Sequence, residues 1–207
     1  MTPRIFARGK ITPFLFLVLL SGGMQNGAAQ TDLSSAGNAA GVFSDADAGF
    51  KAKMHGKPEH NVTKTGEGSD DVQHQYLVAA ANGVFMVAYQ DHPEINAGDP
   101  AVIEKLYTSA RDGFKKAVGG EQVEYKTITH SGLSGRETRF RIPSRQGAAI
   151  TRMFFANQRW YHVFVLGAAD FVNSKTAQQF LDSFQVIGSR SSQKSSREDL
   201  IRKHTDF

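Results

Sequence analysis

No cysteine occurs anywhere in the chain. Its core must therefore hold without disulfides, and the lipid attachment that bacterial export signals direct to a cysteine is excluded. A long apolar run is missing as well. The strongest, "FLFLVLL" from Phe14 to Leu20, falls well short of the ~20 residues needed to span a membrane. Several catalytic motifs are also absent. "SGLSGRE" fails the nucleophile-elbow pattern G-x-S-x-G, because Leu133 precedes Ser134 and Gly135 follows it, and the spacing puts Ser134 in a turn between strands. "GEGSDD" has the glycines of a phosphate loop but neither the G-K-[ST] ending nor a strand leading into a helix. No internal repeat is visible.

What is present divides the 207 residues into unlike parts. Arg4, Arg8 and Lys10 precede the apolar run, and "GAAQ" follows it with Gly27 and Ala29 at small-residue positions. This pattern predicts a secretory signal over residues 1–29 and an exported protein, periplasmic or secreted, with no transmembrane segment in the mature chain. That leader carries three of the 24 basic residues and none of the 20 acids, so the remainder has a net charge of about +1. The sequence pI near 9.3 is thus no sign of nucleic-acid binding. Residues 30–42, "QTDLSSAGNAAGV", read as a linker, and residues 189–207 as a polar, Ser-rich tail in which Ser195 and Glu198 could form a capping box. One domain, residues 43–188, lies between them. Hydrophobic residues at 40% and charged residues at 21% are globular values, and 15 phenylalanines predict a Phe-rich core.

Within the domain, "GFKAKM" alternates. "VQHQYLVAAA" and "VFMVAYQ" flank Asn82-Gly83, a strong hairpin signal, and the second run is apolar on both faces, as in a strand covered from both sides. A helix follows, with Asp99 as N-cap, Pro100 in its first turn and Gly119-Gly120 at its end. Ile103, Leu106, Tyr107, Ala110, Phe114 and Ala117 form its inward stripe, and Asp112 and Lys116 a surface pair. "VEYKTITH", "RETRFRI", "AAITRMFFA" and "WYHVFVLGA" predict four more strands joined by short turns. The last helix starts at Asn173 or Ser174 and buries Ala177, Phe180, Leu181 and Phe184. The order β-β-β-α-β-β-β-β-α, without βαβ repetition, predicts an α+β fold: an antiparallel sheet flanked by helices.

Five segments, "FKAKMHGKPEH", "YQDHPE", "ARDGFKKAVGGE", "GRE" and "DFVNSKTAQQFLDSF", resemble PsbP-like extracytoplasmic domains, a group that takes in DcrB-type envelope proteins. The resemblance extends over roughly residues 43–188. It implies an antiparallel sheet sandwiched between helices and a binding or assembly module rather than an enzyme, with no cofactor. None of the five segments is a catalytic motif.

The residues offer three candidate sites. Arg136, Arg139, Arg141, Arg145, Arg152 and Arg159 fall within 24 residues, with Glu137 the only acid among them. Alternation puts Arg139 and Arg141 on one strand face, opposite Phe140 and Ile142, and the neighbouring hairpin could add Arg152. Such guanidinium groups suit a phosphate or carboxylate on an envelope protein or anionic ligand; alternatively they are a solvated face paired with Glu124 and other acids. The opposing reading is a small metal-dependent envelope hydrolase using Asp91, His92 and Glu94 of "DHPE". That cluster, like His55 and His60 around "GKPE", lacks the helical spacing of H-E-x-x-H, and both read as turns. His74 and His162 fall in strands, where a packed imidazole is the usual outcome. Asp170 of "GAADFVNS" is expected to accept backbone N–H bonds in a closing turn, with Phe171 stapling that turn to the core.

Overall fold

The computed structural model describes residues 41–65, 72–95 and 99–188. The predicted leader, nearly all of the linker, the Ser-rich tail and "GEGSDD" lie outside the described residues. Strand β1 (Val42–Asp45) starts at the last position of the predicted linker, and β2 (Phe50–Lys53) follows. After β3 (Glu59–Lys64), β4 (Val72–Ala80) and β5 (Gly83–Asp91) comes helix α1 (Pro100–Val118). The second half runs β6 (Glu121–His130), β7 (Leu133–Ile142), β8 (Gly147–Ala156), β9 (Arg159–Ala168), α2 (Ala169–Val172), α3 (Lys175–Ser183) and β10 (Gln185–Val186).

Every strand pairing is antiparallel. Seven strands form one sheet in the order β3-β4-β5-β9-β8-β7-β6, and β1-β2-β10 form a small second sheet. The hydrophobic core is split by the large sheet. On one face α1 buries Leu106, Tyr107, Ala110 and Phe114 against Phe140, Met153, Trp160 and Phe164. On the other, β2 and α3 bury Phe50, Phe180 and Phe184 against Phe85, Phe154 and Tyr161. β5 and β9 are central and covered on both sides, as the doubly apolar "VFMVAYQ" predicts. The fold is α+β, an antiparallel sheet between helical layers, and the phenylalanines fill both halves of its core.

The helix boundaries agree with the sequence. Asp99 caps α1 through the N–H groups of Ala101 and Val102, and Gly119 ends it in the left-handed region. Ser174 caps α3 by accepting from the Ala177 N–H at 3.1 Å. Other expectations need correction. Ala117 is exposed, because the stripe drifts and Val118 takes its place against the core. Asp112 pairs with the adjacent Arg111 at 2.8 Å instead of Lys116. Ser134 is a strand residue of β7, and the turn before it is Ser131–Gly132.

The Asn82-Gly83 hairpin forms one residue out of place. Ala80 pairs with Gly83, so the two loop residues are Ala81 and Asn82, neither with positive φ. Gly83 serves a different need: a Cβ there would lie 2.5 Å from the Leu166 carbonyl oxygen and from the Phe171 ring. Positive φ at both loop positions, the mark of a type I′ turn, occurs instead at Ser131–Gly132 and at Asn157–Gln158.

Three strands were not predicted. β3 has no apolar alternation and no buried side chain, so only its ladder to β4 reveals it. β1 and β10 span four and two residues, too few for a periodic signal.

Candidate functional site

The arginine series does not form a free basic face. β7 alternates, so Phe140 and Ile142 join the α1 core while Glu137, Arg139 and Arg141 point to the α3 side. Arg152 of β8 stands directly across from Glu137 on that side. It is 8% exposed and Glu137 3%. Arg152 Nε donates to Glu137 Oε2 at 2.7 Å, and Arg152 Nη1 to Asp182 Oδ1 of α3 at 2.8 Å. Arg152 therefore ties α3 to the sheet where the apolar layer ends.

The same carboxylate draws in two more cations. Lys126 and Arg139 approach Glu137 Oε1 at 3.3 and 3.4 Å, and both also reach Glu124, at 3.0 and 3.2 Å. Arg141 stands apart, paired with Glu121. Burial alone would raise the Glu137 pKa, but the Arg152 hydrogen bond and the three positive charges outweigh it and hold the carboxyl below its usual range. Four cations here face four carboxylates. The structure brings Arg139 and Arg152 together through Glu137 and leaves Arg141, with a 67% exposed side chain, at the rim.

Elsewhere in the series, Arg136 meets Glu104 of α1 at 2.5 Å and lies over the Tyr107 ring. Arg159 grips Asp91 with two bonds, of 2.5 and 2.9 Å, donates to the Asp47 carbonyl at 2.8 Å and covers the Tyr89 ring at 4.2 Å.

That last contact dissolves the "DHPE" triad. Asp91 ends β5 and is taken by Arg159, whereas His92 Nδ1 in the following turn meets Glu94 at 3.0 Å. The three groups do not converge, and no set of three or more His, Asp or Glu side chains that could hold a metal occurs among the described residues. The hydrolase reading loses its geometry. Asp170 also departs from expectation. It is exposed in α2 and its carboxylate makes no hydrogen bond among the described residues, while Asn173 closes the turn by donating from N and Nδ2 to the Ala169 carbonyl. Phe171 does staple the segment, 5.0 Å from Phe85.

A further cluster escaped the sequence reading. His60, expected in a turn, lies on β3 opposite Tyr76 of β4, and its Nε2 stands 3.1 Å from Nδ1 of His74. The imidazole planes differ by 13° with centroids 5.3 Å apart, so the facing nitrogens put the rings edge to edge. Beneath them lie two tyrosines. Tyr76 stacks on His60 at 4.4 Å and Tyr89 on His74 at 4.5 Å, with interplanar angles of 11° and 3°. Asp45 accepts from the Tyr76 hydroxyl at 2.7 Å, and Arg159 closes the far end over Tyr89. Burial, then the His60 charge, pull the His74 pKa below the ordinary imidazole value, against a smaller upward pull from Asp91. Burial lifts the Tyr89 hydroxyl to about 12. The two histidines are 14 residues apart, and only the pairing of β3 with β4 shows that they meet.

The geometry defines an α+β protein with a sheet open at both edges, a layered core and outer faces of paired charge. No helix of the described residues is long and apolar enough to cross a membrane. No protein-family model matches the chain, and no curated protein matches it. Among solved structures, the solution structure of cyanobacterial PsbP (CyanoP) from Synechocystis sp. PCC 6803 is similar over 74% of this chain and 98% of that chain, with 12% identity and a TM-score of 0.47.

Proposed function

We propose that this chain is an exported, non-enzymatic binding or assembly-accessory protein of the cell envelope, periplasmic or secreted, that works without a cofactor. The leader pattern of residues 1–29 supports export. The observation that supports binding is the outer face of β6 and β7, where a network of paired charges continues past the edge of the α3 layer. Lys126, Glu124, Arg141 and Glu121 remain 42–67% exposed there. Exposed pairs contribute little to folding, so exchanging an internal partner for one on another molecule costs little. Charges of both signs suit an envelope protein of mixed charge, and electrostatic complementarity sets register and selectivity in such contacts. Arg139 and Arg141 are the contact residues. Arg152 supports them by fixing Glu137.

The test is a pull-down from host envelope extract with residues 30–207 as bait, beside an Arg139→Glu/Arg141→Glu bait. A partner held by the first and lost by the second is the expected result. Equal capture by both removes the arginines from the contact, and capture by neither removes the stable partner.

A further inference from the structure

We propose that β3 is an acid-releasable edge strand, docked on β4 by the His60–His74 hydrogen bond and freed when both imidazoles carry a proton. β3 lies at the rim of the seven-stranded sheet and pairs with β4 alone. None of its side chains is buried, and its ring contacts come from His60, to His74 and Tyr76. Among the described residues, His60 is the β3 side chain that adds a hydrogen bond and ring contacts to the backbone ladder.

A hydrogen bond between two imidazoles needs one nitrogen that donates and one that accepts. The first proton leaves the bond in place, because the other ring still accepts. The second turns both facing nitrogens into donors, 3.1 Å apart on two positive rings, and the contact must open. The surrounding groups set when this happens. Asp45 of β1 and Asp91 of β5 favour the charged form of His74, whereas burial, a charged His60 and Arg159 of β9 oppose it. Tyr76 and Tyr89 stay neutral throughout, since burial raises both hydroxyls. On β3 itself, Glu59 and Lys64 flank the strand with opposite charges. His74 therefore remains an acceptor below the usual imidazole range, and the strand stays docked at neutral pH and leaves only on acidification past that range.

Amide hydrogen exchange on the full chain tests this. As the pH is lowered from about 7 through the His74 transition, protection of the β3 amides, corrected for intrinsic exchange, should fall at least about tenfold more in the unaltered chain than in His60→Gln, while Val163 and Val165 of β9 report the global loss that both chains share. His60→Gln preserves a hydrogen-bonding side chain that does not titrate, and should abolish the part of the loss that is confined to β3. Constant β3 protection, or the same pH dependence in His60→Gln, would overturn the proposal. Should the variant not fold, ring-proton titration of the unaltered chain decides. A His74 step below the ordinary imidazole value is expected, and a His74 step at or above that value refutes it.

Discussion

Acidification from about pH 7 to about pH 5 should weaken the whole fold by about 2 kcal/mol through one imidazole, that of His162. His162 is fully buried in the α1 half of the core, with ring centroids 5.4 Å from Phe114 and 5.3 Å from Phe164. In its strand pairs it stands opposite Ala88 and Met153. Burial among these groups disfavours the charged ring and pulls its pKa from 6.5 down to about 3. Between those two values the unfolded chain binds a proton that the folded chain refuses. Stability is therefore complete above 6.5 and declines as the pH falls toward 3. Each pKa unit is worth about 1.4 kcal/mol, so the loss is about 2 kcal/mol at about pH 5 and about 4 kcal/mol at about pH 3. That is a large share of the roughly 5–15 kcal/mol of a typical domain. His74 and His55, both pulled down chiefly by burial, act in the same direction. The carboxyls of Glu137, Asp45 and Asp182, held below their usual range, lose stability only at more acid pH. Urea unfolding at several pH values, compared with His162→Leu, isolates the one term. The variant's stability at neutral pH can move either way with packing, but its slope between about pH 6.5 and about pH 5 should be shallower by up to about one proton, or ~1.4 kcal/mol per pH unit. Parallel slopes would refute the reasoning.

Arg152→Ala should cost about 3 kcal/mol in urea unfolding, the low end for breaking a buried pair, because Lys126 and Arg139 still face Glu137. Replacing Arg152 by Met and Glu137 by Leu together should recover most of that loss, and a single-variant cost under about 1 kcal/mol would mean the network is solvated. Gly83→Ala should lower stability by about 1–3 kcal/mol in thermal melts, since its Cβ would meet the Leu166 carbonyl oxygen at 2.5 Å. Asp99→Ala removes the α1 cap and should cost about 1 kcal/mol, whereas Asp170→Ala, at an exposed carboxylate, should stay within about 0.5 kcal/mol.

Elements that bury one stripe or both faces are plain in this sequence. The spacing of Leu106, Tyr107, Ala110 and Phe114 marks α1, and the doubly apolar run of β5 marks a central strand. β3 is silent because it buries nothing, and its backbone hydrogen bonds leave no trace in side-chain identity. The hairpin at Ala81–Asn82 was legible for a partly mistaken reason. Glycine suits a turn through its φ, but at Gly83 it answers to a carbonyl and a ring approaching from β9 and α2. Asn157–Gln158, with no glycine, takes the positive-φ turn.

The arginines show the same limit for charge. Within its own 24 residues the series has a single acid, so a local count makes it a basic patch. Folding supplies Glu104 from α1, Glu121 and Glu124 from β6, Asp182 from α3 and Asp91 from β5. Sheet order and the packing of α1 and α3 on the sheet, which no local pattern encodes, bring those carboxylates to the arginines. Alternation placed Arg139 and Arg141 on the correct face, but burial separates them from Arg152. Cross-strand position, on a face that α3 covers only in part, makes Arg152 a strut and leaves Arg141 at the surface. An interaction through this face must therefore use the rim residues, and any variant that alters Arg152 reports on folding before it reports on binding.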